Sequence, residues 1–202
     1  MEAAPGDGNG DSAGTRTGGD GDPGRAPSLN DWLVLALVAE SPRHGFAVAR
    51  ALDPGAPLGS IWRVARPQVY RSLDRLTRAG LVAPRGTEPG AGGPERVVVA
   101  ATDAGTRAVH AWATAPVEHL RDVRAELLAK LMICRRLGLD GCDLLDRQAV
   151  AIDAIHRRLD ERLATTRGDA RLPVLWRLES ARAARRFLGV ARDWWTDAPA
   201  TP

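Results

Sequence analysis

The sequence predicts a mainly α-helical fold with one small β-hairpin, and three observations lead there. Apolar residues recur at three- and four-residue spacing through most of the chain. One β-branched run, Arg96-Val97-Val98-Val99, follows a Gly-rich stretch and reads as the second half of a hairpin. Five arginines, Arg63, Arg66, Arg71, Arg75 and Arg78, crowd residues 61 to 78 against the single acid Asp74.

Composition narrows the classes. A chain of 202 residues with 44% hydrophobic content fills one domain with an appendage, or two small lobes sharing a core at their junction. No apolar run approaches the roughly 20 residues that span a bilayer, so no membrane association is expected. The acidic, Gly-rich start lacks the charged and then apolar regions of a secretory signal, which places the chain in the cytoplasm. Cys134 and Cys142 read as free thiols in the role of small buried hydrophobes. Their spacing, with His110 and His119 upstream, does not make a structural zinc site, and neither a metal nor a cofactor is expected.

Residues 1–27 carry Glu2, Asp7, Asp11, Asp20 and Asp22 against Arg16 and Arg25, with no hydrophobic period. They bury too little apolar surface to offset ordering entropy, so a disordered acidic tail is expected. Order begins where Ser28 or Asn30 can cap a helix through Trp32, Leu33, Leu35, Ala36, Leu37 and Val38. Ser41-Pro42 ends it, and His44-Gly45 opens a second helix, Phe46 to Leu52. After the turn-rich residues 53–57, Pro67 starts a third helix, whose Val69, Leu73 and Leu76 form one buried stripe. That leaves Gln68, Tyr70, Arg71, Asp74, Arg75 and Arg78 on its flanks and outer face. Gly80 caps this helix, and a hairpin with its tip at residues 90–94 follows. Thr102-Asp103 then caps a helix through Val109 and Trp112, broken by Pro116.

Three helices, the third one basic, and then a hairpin make the outline of a winged helix-turn-helix. A helix fits the major groove of DNA, its first residues reach base edges, and flanking arginines neutralise phosphates with release of counterions. Double-stranded DNA is therefore the expected partner, with Arg63, Arg66, Gln68, Tyr70, Arg71, Arg75 and, beyond the wing tip, Arg96 as its contacts.

Residues 35–46 (LALVAESPRHGF), residues 62–76 (WRVARPQVYRSLDRL) with Gly80-Leu81-Val82, and Thr102-Asp103-Ala104-Gly105 resemble, in that order, the opening, recognition segment and wing exit of the PadR family. The resemblance covers roughly residues 29 to 137. It implies a homodimeric repressor of its own or a neighbouring operon, whose C-terminal helices form the dimer and whose small-molecule effector lowers DNA affinity. The long C-terminal part resembles the larger type of the family, with three helices, similar to the virulence activator-like branch.

The residues of that part give the same picture independently. From about residue 118 the pattern is helical, through Leu120, Val123, Leu127, Leu131, Cys134 and Leu137, then Leu145, Ile152, Ile155, Leu159 and Leu163, then Leu175, Leu178, Leu188 and Trp195. Such amphipathic helices bury well against copies of themselves. Leu127, Leu131, Leu175, Leu178, Leu188, Trp194 and Trp195 are the expected dimerisation residues, and two recognition helices would meet an inverted-repeat operator. Trp176, Trp194 and Trp195 read as dimer core, with an effector pocket as the alternative. The expected domains are the tail at 1–27, the winged helix-turn-helix at 28–116 and the helical dimerisation region at 117–197.

No catalytic constellation is present: the sequence has no G-x-S-x-G, no phosphate loop with Gly-Lys-Ser or Gly-Lys-Thr, and no H-E-x-x-H. The competing function is a winged-helix interaction module that has lost operator binding, and the arginines of residues 63 to 78 argue against it.

Overall fold

A capping box starts the ordered chain. The Ser28 hydroxyl accepts from the Asp31 backbone N–H while Asp31 accepts from the Ser28 backbone N–H, which opens α1, Leu29–Glu40. In the computed structural model, residues 26–90 and 93–197 are described. The tail expected at 1–27 therefore lies outside the described residues except for its last two, as do Ala91 and Gly92 of the hairpin tip.

Helix α1 is buried along nearly its whole length, with Leu33 to Val38 at the centre of the core. Around it pack α2 (Gly45–Ala51), a short α3 (Pro57–Ile61), α4 (Arg66–Arg78) and α5 (Asp103–Thr114). The expected alternative cap, Asn30, instead accepts a hydrogen bond from the Trp62 indole N–H at 2.8 Å, fastening the α3–α4 connection to α1. The turn expected at residues 53–57 leads directly into α3, which Pro57 opens at its first position.

The sheet has three antiparallel strands in the order β1 (Arg43–His44), β3 (Gly93–Ala101), β2 (Val82–Gly90). Strand β1 adds to the expected hairpin a short edge, with Arg43 opposite Val99 and His44 opposite Val98. The mainly α fold with a small β wing is thus the observed one, a winged helix carrying a C-terminal helical arm.

The arm departs from continuous helix at its start. Residues 120–127 form a 3-10 turn and then a π-helical turn before α6 (Leu128–Leu137), and Gly138 ends α6 with φ 65°. Helices α7 (Gly141–Thr165) and α8 (Arg171–Asp197) then pair antiparallel as a long hairpin.

One core runs from the winged part into the arm: Leu33, Leu127, Ile133, Leu145, Ile152 and Leu188 belong to the same cluster. The chain crossing at residue 117 is clamped by the buried Gln148 side chain, which accepts from the Val117 N–H at 2.7 Å and donates to the Val117 carbonyl at 3.0 Å. Glu40 adds a further tie, bonding Arg43 at 2.9 Å and Arg136 at 2.6 Å. A smaller cluster of Leu159, Val174, Leu178 and Ala181 closes the far end of the arm.

The two cysteines are both free and differ in setting. Cys134 is buried as expected, and burial, aided by the Asp140 charge, pushes its thiol up to about 11 despite Lys130. Cys142 is partly exposed, a correction to the expectation that both are buried, because it lies in the first turn of α7. No helix among the described residues is long and apolar enough to cross a membrane.

Candidate nucleic-acid interface

Helix α4 rests on α1 and α2 through Val69, Leu73 and Leu76, each less than a tenth exposed. The opposite side carries the charge. Arg63, Arg66, Arg71 and Arg78 are exposed, as is Tyr70, and Gln68 is half-buried near the helix start. None of Arg63, Arg71 and Arg78 has a carboxylate partner among the described residues. An arginine face that holds the single acid Asp74 and no ion pair to Arg63, Arg71 or Arg78, next to a β-hairpin, has the charge to attract an external polyanion.

Arg75 is the exception and corrects the expectation that it faces DNA. Its guanidinium turns inward, donating to Asp31 Oδ1 from Nη2 at 2.7 Å and from Nε at 3.2 Å, and to the Ser72 hydroxyl at 3.2 Å. Asp31 is only 4% exposed. Burial opposes its ionisation, yet the hydrogen bonds from Arg75, Ser28 and Ser72 together outweigh that and hold the carboxyl below its ordinary value. Arg75 is thus a brace between α4 and α1.

The His44-Gly45-Phe46 stretch acquires a physical account here. The His44 ring caps α2, its Nδ1 accepting from the Ala47 N–H at 3.1 Å. Gly45 lies under the Tyr70 ring, so a Cβ at this position would come within 2.8 Å of Tyr70 Cε1 and push that side chain off its place on α4. Phe46 holds two cations at once, with Arg66 Cζ 4.5 Å and Arg96 Cζ 5.0 Å from its ring centroid. One aromatic ring therefore sets the wing arginine against the arginine at the start of α4. The sequence places Phe46 only as the first residue of the second helix; an aromatic at the start of a short helix, between two basic segments, is the signal that points to this role.

Replacing Phe46 by Ala should release both arginines. Each exposed cation–π contact is worth about 0.5–1 kcal/mol, so DNA affinity should fall roughly tenfold by fluorescence anisotropy with little change in melting temperature. Unchanged affinity would show that the ring does not organise the interface.

The residues expected at a dimer contact divide differently. Leu127, Leu131, Leu178 and Leu188 are 0%, 7%, 1% and 2% exposed within the single chain. They are core of this chain, because α7 and α8 bury each other and α6 packs against α5 and α1. Leu175 is half-buried, as is Trp195, which packs against Gly141. Of that set only Trp194 is largely exposed, at 55%. Trp176, also read as dimer core, is exposed with it, as are Leu172, Phe187 and Val190, which were not expected as contacts. At 100° per residue, these five positions fall on one side of α8, opposite Val174, Leu178, Ala181 and Leu188.

The fold and the basic face define a winged helix-turn-helix protein. Residues 34–111 match the model of the Transcriptional regulator PadR-like family. No curated protein matches the chain. Among solved structures the chain is similar to Bacillus subtilis PadR in complex with operator DNA, at 19% identity over 81% of this chain and 98% of that one, with a TM-score of 0.42. A Streptococcus mutans protein is similar at 15% identity, over 82% of this chain and 98% of its own, with a TM-score of 0.39. Bacillus subtilis PadR in complex with p-coumaric acid is similar at 18% identity, over 86% of this chain and 100% of that one, with a TM-score of 0.37.

Proposed function

We propose that this chain is a homodimeric repressor of transcription that binds an inverted-repeat operator through α4 and its wing, and that a small-molecule effector relieves it. The observation that carries DNA binding is the α4 face, where Arg63, Arg66 and Arg71 stand exposed beside Gln68 and Tyr70, with Arg96 brought alongside by Phe46. Arg63, Gln68, Tyr70 and Arg71 lie toward the helix start, the end that reaches base edges in this motif. Arg66 and Arg96 fit backbone contacts flanking it, and the wing arginine suits the minor groove or a phosphate.

Dimerisation is supported by the exposed stripe of α8. Phe187, Val190 and Trp194, with Leu172 and Trp176 nearer the helix start, expose apolar surface along one side of a helix of 27 residues, and exposed apolar surface of this kind marks an interaction site. A second copy offers the same stripe, so a two-fold pairing of α8 with α8 covers both. The winged lobe at 28–116 and the arm at 117–197 then serve as reader and dimeriser while sharing one core.

A gel shift with the DNA upstream of the chain's own gene tests the proposal. The intact chain should bind that DNA far more tightly than random duplex. Arg71→Ala should cost about 1–3 kcal/mol and relax specificity if Arg71 reads a base, whereas a phosphate contact would lower all affinities alike and reduce the salt slope by about one. If the Arg63→Ala, Arg71→Ala double variant binds as the parent does, α4 is not the reader and the interaction-module reading takes its place.

A further inference from the structure

A basin of about 1010 Å³ opens where the 118–124 segment meets the far halves of α7 and α8. Five arginines from three separate segments line it: Arg121 and Arg124, Arg158 and Arg162 on successive turns of α7, and Arg177 on α8. Glu118 is the one acid in the lining. Elsewhere on the arm some arginines are matched to carboxylates across the helix pair or along one helix, as in Arg185–Asp153 at 3.1 Å, Arg192–Asp146 at 2.6 Å and Arg182–Glu179 at 2.6 Å, while Arg157 and Arg186 have no carboxylate partner among the described residues. What sets the basin apart is that its arginines converge on one concavity without such a match across the helix pair. Arg124, Arg162 and Arg177 have no carboxylate partner among the described residues, and Arg121 reaches only its neighbour Asp122, at 3.7 Å. Like charges one turn apart repel, so the cluster raises the energy of the empty arm and lowers that of an arm holding an anion.

From this we infer that the arm binds a nucleoside polyphosphate. Several guanidinium groups around one concavity match the multiple charges and forked acceptors of linked phosphates better than the single charge of a carboxylate. Leu120, Ile155 and Leu159 give the lining an apolar part, and Trp176, 73% exposed, offers an indole face on which a planar base stacks. The concavity has the volume of a small-molecule site, whereas duplex DNA needs a protruding helix or ribbon to enter its grooves. Trp176 belongs to the exposed stripe of α8 and also lines the basin, so a bound base would lie beside the seam. The inference deepens the effector part of the proposed function, but ligand binding is measured without DNA and stands or falls separately from operator recognition.

Calorimetry on the intact chain with ATP, inorganic pyrophosphate and adenosine tests it. Saturable ATP binding is expected, with pyrophosphate weaker and adenosine silent. A charge-assisted hydrogen bond to phosphate corresponds to roughly tenfold in affinity, so Arg162→Gln with Arg177→Gln should weaken ATP about a hundredfold. Trp176→Leu should weaken ATP and leave pyrophosphate unchanged. The control is Arg182→Gln with Arg185→Gln, which removes the same charge from ion-paired positions and should bind as the parent does. Absence of saturation by both ATP and pyrophosphate near about 1 mM, or equal weakening in the control, overturns the inference. So does loss of random-duplex affinity in the Arg162, Arg177 variant when neither phosphate probe binds, since the basin arginines would then be a DNA-backbone contact.

Discussion

Replacing Val190 and Trp194 by Asp together is expected to convert the protein into a monomer and to abolish tight operator binding while leaving the fold intact. Both side chains stand on the exposed side of α8, at 67% and 55% exposure, and lie outside the buried clusters, Trp194 touching its own chain only at the surface, through Arg135 at 4.7 Å from its ring centroid and the edge of Trp195. Burying a large apolar side chain is worth about 1.5–3 kcal/mol, and a two-fold seam buries each of them twice. The variant loses that gain and must also desolvate carboxylates that face their own symmetry mates. The combined effect is on the order of 6 kcal/mol or more, which raises the dimer dissociation constant by at least about four powers of ten.

Operator affinity follows the dimer. With two recognition helices linked, the second half-site is engaged at a high effective concentration, a gain of about 10²–10⁴ that a monomer lacks. Sedimentation velocity at micromolar concentration and anisotropy with an inverted-repeat duplex measure the two consequences. An unchanged melting profile separates loss of the seam from loss of the fold. If the unaltered chain sediments as a monomer and still shifts its operator at nanomolar concentration, both the seam and the inverted repeat, with half-sites roughly 34 Å apart, are wrong.

The seam also shows where the sequence ceases to be legible. Spacing alone identifies Leu178 and Leu188 as one side of α8, and they are one side; what it does not reveal is whether that side meets α7 or another copy. Helix α8 is apolar on two opposite sides, and only the antiparallel packing of α7 assigns one of them to the interior. The α4 stripe was easier, because Val69, Leu73 and Leu76 have no apolar rival on the outer face. The same holds for the hairpin, whose β-branched run has a single turn to pair across.

In the candidate interface, side-chain direction depends on partners far away in sequence. Arg71 and Arg75 sit one turn apart and look equivalent in sequence, but Asp31, 44 residues earlier, draws one of them inward. Phe46 illustrates the same limit, since its two cations come from α4 and from the wing, and no local pattern links those three positions. The basin arginines are similar, scattered over residues 121 to 177 and joined only when the arm folds back on itself.

The second large effect concerns the brace itself. Asp31→Asn should destabilise the protein by about 2–4 kcal/mol, because removing the charge from one partner of a buried pair leaves the Arg75 guanidinium inadequately compensated and weakens the capping box at the start of α1. The figure is set below the range for fully buried pairs because the Arg75 side chain keeps 31% exposure and so retains some hydration. The pH dependence has a definite sign. The carboxyl of Asp31 titrates lower in the folded chain than in the unfolded one. Its ionisation therefore adds stability above the ordinary carboxylate range, and that share is lost as pH falls through the folded value, where the native carboxyl at last takes up its proton. At neutral pH the parent should thus melt well above Asp31→Asn, and the gap should close only in strong acid, below the ordinary carboxylate range. Thermal melts of both proteins at neutral and acid pH read this directly. A gap that stays constant down to the acid limit would mean that Asp31 acts through packing and the helix cap alone, without its charge. Since α4 leans on α1 through this pair, Asp31→Asn should also loosen the recognition helix, and its operator affinity should fall even at temperatures where the variant remains folded.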